Sequence, residues 1–124
     1  MIEPQMRYIN LENLENISRG DDKRLFKYLI QFRELIPERT AQLQNALQLA
    51  DRVQIRQILH KMSPQLQFFG ITNVVDPIQR LECEYQTMAI DELNTLVTKI
   101  LVTLEKALIE VSQLIDYKQN NQNT

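Results

Sequence analysis

Apolar residues recur along this chain at intervals of three and four, the spacing that gathers them on one face of a helix turning about 100° per residue. Leu11, Leu14 and Ile17 predict a short first helix that stops near Arg19-Gly20, where glycine is a natural terminator. Asp21 and Asp22 then offer an N-cap and favourable first-turn charge to a helix whose face is Leu25, Phe26, Leu29, Ile30, Phe32 and Ile36. Pro37 lacks a backbone donor and crowds the turn before it, so two consecutive helices are expected to meet there, the second carrying Leu43 and Leu47. Asp51 is placed to cap the next helix, with Ile55, Ile58, Leu59, Met62, Leu66 and Phe69 in one narrow stripe and Gly70 at its end. Thr72 or Asn73 is expected to cap a shorter helix in which Val74, Ile78 and Leu81 point inward and Pro77 falls near the first turn. After Asp91, the residues Leu93, Val97, Ile100, Leu101, Leu104, Leu108, Val111 and Ile115 form the longest regular apolar face.

The connections between these segments are only a few residues long, which favours antiparallel neighbours crossing at about 20°. The expected fold is all-α, an antiparallel up-down four-helix bundle with an additional N-terminal helical segment. Residues 1–124 read as a single domain, with 1–10 as a loose leader and 118–124, rich in Asn and Gln, as a frayed tail. No alternating β pattern of useful length interrupts this reading.

Composition agrees and excludes several classes of activity. A length of 124 residues suffices for one core without disulfide or metal staples, and two glycines with few aromatics favour helix. The 14 Lys and Arg against 16 Asp and Glu leave no basic excess to attract nucleic acid. No uninterrupted apolar stretch approaches the roughly 18 residues of a membrane span, and the start of the chain lacks the pattern of a signal peptide; a cytoplasmic location without membrane attachment is expected. The single Cys83 cannot form an internal disulfide, and with only one His it cannot build a typical zinc site. No cofactor-binding loop, nucleophile elbow or zinc-protease motif is present, so a self-sufficient enzyme is not expected.

The lone histidine lies within an apolar repeat but off its axis. His60 falls about 140° around the helix from Ile55, the centre of the stripe, among Arg56, Gln57, Ser63, Pro64 and Gln67. Solvation alone explains many such histidines. Pro64, however, removes the hydrogen bond that would close on the His60 carbonyl and keeps bulk from one flank of the ring. An unbroken helix tolerating such a proline at about 3 kcal/mol directs attention to this turn.

Gly20-Asp21, Phe32 and Pro37, Leu43 and Leu47, Asp51, His60, Met62, Gly70 and Leu81-Glu82 follow in order and spacing the pattern of a known family. Over Leu11 to Glu82 the chain resembles the histidine-containing phosphotransfer (HPt) domain of bacterial phosphorelays, in the variant H-K-M-x-P form of its motif. Ser63 and Pro64 depart from the pattern, standing where the family commonly has Lys and Gly. A serine offers only a hydroxyl where a lysine would answer phosphoryl charge. Arg56, four residues before His60 and on nearly the same face, is ranked above Lys61, turned by about 100°, as the replacing cation.

The resemblance implies that His60 is the phosphoacceptor, receiving and returning a phosphoryl group from aspartates of response-regulator receiver domains or a hybrid sensor histidine kinase. It implies no cofactor of the chain's own, Mg²⁺ being supplied by the receiver, and no kinase activity. Glu82 is the candidate acceptor for the imidazole Nδ1 proton, with an ordinary surface glutamate as its bland alternative. Arg56, Gln57, Lys61, Ser63, Pro64, Gln67 and Phe68 are the candidate partner-binding residues; Phe68 is either part of an exposed docking patch or buried against a second helix. A monomer is expected. The competing function is an all-helical adaptor that binds receiver or kinase domains without accepting phosphate.

Overall fold

The computed structural model describes residues 3–122 and is all-helical, with five α-helices and no strand among the described residues. They are α1 (Leu11–Ile17), α2 (Asp22–Gln48), α3 (Arg52–Phe68), α4 (Val75–Glu84) and α5 (Ile90–Gln122), with a 3-10 turn at Thr72–Val74 leading into α4. Among the described residues, no helix is long and apolar enough to cross a membrane. α2 packs on both α3 and α5, and α4 closes against α3 and α5.

The starts and stops of the helices follow local chemistry. Asp21 accepts from the backbone N–H groups of Lys23 and Arg24, and Asp51 accepts from that of Gln54, satisfying donors that the first turn leaves open. Arg19 and Gly20 adopt φ of 55° and 75°, and Gly70 adopts 67°, ending α1 and α3 in the left-handed conformation that favours glycine. Most of the inward stripes are buried: Leu25, Leu29, Phe32 and Ile36 from α2, all six apolar residues from Ile55 to Phe69 on or beside α3, Ile78 and Leu81 from α4, and Leu93, Val97, Ile100, Leu104, Val111 and Ile115 from α5, while Phe26, Ile30, Leu101 and Leu108 are half-buried at the core's margin.

Four expectations are revised. The two helices expected to meet at Pro37 are one 27-residue helix. Pro37 is exposed, so the Arg33 carbonyl that loses its donor lies on the side where water can replace it. Neither Thr72 nor Asn73 caps α4: no side-chain cap bond is present there, because the 3-10 turn feeds directly into the helix, the Val75 N–H bonding to the Thr72 carbonyl. Residues 7–10 of the segment expected to be a loose leader are tied down, Met1 and Ile2 lying outside the described residues. The backbone N–H groups of Arg7, Tyr8 and Ile9 donate to the Glu110 carboxylate at 2.6 to 3.2 Å, Ile9 is buried, and Asn10 N–H donates to the Phe69 carbonyl at 2.8 Å. At the other end α5 continues through Lys118 to Gln122, where a frayed tail is expected; Thr124 and its neighbour lie outside the described residues.

Gly70 serves a second purpose that its position after α3 does not advertise. A Cβ there would lie 2.4 Å from the Asn10 Cβ, so the N-terminal segment crosses the end of α3 only because the side chain is missing.

Candidate functional site

α3 presents His60 from its middle, and the ring is 69% exposed. Its position follows from the helix: Ile55, Ile58, Leu59 and Met62 anchor the opposite face in the core, leaving the imidazole outward. α4 runs past α3 in the opposite direction, with Arg52 meeting Tyr85 and Met88, His60 meeting Glu82, and Ser63 and Gln67 lying against Ile78 and Gln79. Burial of Ile78 and Leu81 sets the rotation of α4, and that rotation brings half-buried Glu82 to the imidazole.

His60 Nδ1–H donates to Glu82 Oε1 at 3.1 Å. An ionised carboxylate can only accept, so in the neutral ring this contact places the proton on Nδ1 and leaves Nε2 with its lone pair. Nε2 has no side-chain partner among the described residues. One turn onward, Pro64 supplies no N–H to the His60 carbonyl. It is exposed and adds no long side chain beside the ring.

The remaining candidate residues divide into three groups around α3. Ser63 and Gln67 join Glu82 around a cavity of about 120 Å³ between α3 and α4. Gln57 and Lys61 lie on the other side, in a groove of about 350 Å³ against Arg39, Gln42 and Asn45 of α2. Pro64 and Phe68 border a third groove, of about 370 Å³, with Tyr28 and Gln31 of α2. Phe68 is half-buried and takes part of both alternatives: its ring meets that of Tyr28 edge-on, centroids 4.9 Å apart, while it still lines the groove.

Arg56 is half-buried beside α4, its Cζ 5.4 Å from the centroid of the Tyr85 ring. Arg52 Nη1 donates to the Tyr85 carbonyl at 2.9 Å and also to that of Met88, fixing the turn that carries Tyr85. Sequence reasoning did not identify Tyr85 or Arg52. Tyr85 follows the last turn of α4, outside the apolar stripe, and is separated from Arg56 by nearly thirty positions, so no periodic signal links them. Arg80 bonds to Glu84 and pairs with Glu92, tying α4 to α5; the bond to Glu84, with the nearby Glu92 charge, raises the guanidinium pKa further above its ordinary value. Cys83 is exposed, and among the described residues no group of three or more His, Cys, Asp or Glu is arranged to hold a metal ion.

The chemical capacity of this arrangement is that of one oriented, accessible nitrogen nucleophile flanked by hydroxyl, amide and guanidinium groups. Comparison with protein-family models, curated proteins and solved structures finds no match for the chain.

Proposed function

We propose that this protein is a histidine phosphocarrier of the HPt kind, in which α2 to α5 form an antiparallel up-down bundle that displays His60 to receiver domains. The observation that carries the reading is the His60–Glu82 pair: Nδ1 is engaged at 3.1 Å on a ring that is 69% exposed. A receiver's aspartyl phosphate approaches Nε2, the N–P bond forms as the acyl P–O bond breaks, and the aspartate departs as carboxylate. The positive charge that develops on the ring sits at Nδ1–H, against Glu82. Mg²⁺ and transition-state stabilisation come from the receiver, so this chain contributes position rather than catalysis of its own.

Apolar and polar surface together border the ring's helix, as a partner-binding face requires. The Tyr28–Phe68–Pro64 groove is its apolar part, and Gln57, Lys61, Ser63 and Gln67 provide a polar rim.

Incubation with a phosphorylated receiver and Mg²⁺ tests the reading. The native protein is expected to acquire an acid-labile, alkali-stable phosphoryl group, and His60→Gln to acquire none. Undiminished labelling of that variant overturns the proposal. Receiver binding that persists in His60→Gln, with no transfer to the native protein, establishes the adaptor function instead.

A further inference from the structure

A phosphoryl group on Nε2 adds a dianion to a site that already holds the Glu82 carboxylate, more negative charge than the single positive charge of the ring offsets, so a second cation is favoured there. Three cations lie on α3 with His60. Arg52 is committed to the carbonyls of Tyr85 and Met88. Lys61 lines the groove against α2, about 100° around the helix from His60. Arg56 stands one helical turn before His60, on nearly the same face.

The environment of Arg56 is unusual for a half-buried cation. No carboxylate or carbonyl partner accepts from its N–H groups among the described residues, and its guanidinium is instead held over the Tyr85 ring. A ring contact of this kind consumes none of the guanidinium N–H donors, and a guanidinium with its donors unclaimed matches two oxygens of a phosphoryl group. The carbonyl contacts of Arg52 hold the turn on which Tyr85 sits, so the aromatic platform is itself braced.

We propose that Arg56 is the phosphoryl-binding residue of the His60 site, and that Tyr85 is the positioning residue that keeps the guanidinium within reach of a phosphoryl group on Nε2. This assignment rests on the phosphocarrier reading of His60. Hydrogen bonds from Arg56 to the non-bridging oxygens draw away the electron density that expels the imidazole, and so prolong the phosphorylated state.

Phosphoramidate is a suitable probe because it needs no receiver. His60 Nε2 attacks phosphorus, the N–P bond to the departing ammonia breaks, and the ring proton remains on Nδ1. After removal of the donor, loss of phosphate from the full-length protein is followed by phosphorus NMR. Arg56→Gln is expected to lose phosphate roughly fivefold faster, in line with one charge-assisted hydrogen bond at a partly exposed site. Tyr85→Leu should shift the lifetime in the same direction, while Tyr85→Phe, which keeps the ring, should restore it. In the native protein the Arg56 Nε–H resonance should move on phosphorylation, a response that a purely structural role would not produce.

A native lifetime in Arg56→Gln, with native helicity, overturns the assignment while leaving the phosphocarrier reading intact. Should that variant not fold, Arg56→Lys decides by the same lifetime, a value matching the native protein counting against bidentate binding. Absence of labelling at His60 by both phosphoramidate and phosphorylated receivers overturns the two readings together.

Discussion

Glu110 on α5 and Glu82 on α4 are the same carboxylate in opposite settings. Glu110 is 7% exposed and accepts from three successive backbone N–H groups of the N-terminal segment, whereas Glu82 is 27% exposed and bonds one imidazole. A buried carboxylate is tolerated only when its lone pairs are satisfied, so Glu110 and its strap are mutually dependent. A carboxylate in partial contact with solvent exchanges partner for water at little net gain, so Glu82 orients a ring without holding the fold together. One region is built to stay closed, the other to be reached.

Glu110→Ala is the strongest way to break this contrast. It strands three backbone donors, and a loss of about 2–4 kcal/mol in urea unfolding is expected, with faster amide exchange at Arg7, Tyr8 and Ile9 and unchanged labelling of His60. A stability loss no larger than that of a surface substitution would show that the strap is not held by this carboxylate. Gly70→Ala should act on the same region from the other side. The substitution combines φ of 67° with a Cβ 2.4 Å from that of Asn10, and about 1–3 kcal/mol of destabilisation is expected as the strap lifts from the end of α3.

Asp51→Ala sharpens the comparison at the base of the site helix. Loss of its cap on the Gln54 N–H should lower stability by about 1 kcal/mol in the same unfolding measurement, with little change in the lifetime of phosphate on His60. Glu82→Ala should reverse that pattern: stability within about 0.5 kcal/mol of native, but phosphoryl transfer from a receiver slowed roughly tenfold by loss of the Nδ1 acceptor. Equal effects of Glu82→Ala and Glu110→Ala on unfolding would erase the distinction. The smallest effect expected is that of Ser63→Lys, which should lengthen the phosphate lifetime by less than about twofold if Arg56 already supplies the cation.

Much of the helical framework was legible because it depends on neighbours in the chain. Apolar spacing, the Asp21 and Asp51 caps and the Gly20 and Gly70 stops are local signals, and each acts within a turn or two of helix. His60 could be placed outside the stripe for the same reason. Glu82 was named as its partner by the resemblance, from its place beside the inward-facing Ile78 and Leu81, and the structure brings the two side chains together.

Where local rules alone were applied to Pro37 and Thr72, they misplaced a helix break and a cap. A proline's cost depends on whether its orphaned carbonyl meets solvent, and a helix start can be supplied by a preceding 3-10 turn; neither is written in residue type.

What the amino-acid order determined by itself is the all-helical character of the chain, the faces its helices bury and the outward placement of one imidazole, since periodicity and capping are short-range. Tertiary packing decided the rest. The strap on Glu110, the clearance at Gly70 and the cation–ring contact of Arg56 with Tyr85 join residues far apart in sequence, and such contacts arise only once burial of the apolar faces has set how neighbouring helices are rotated and aligned.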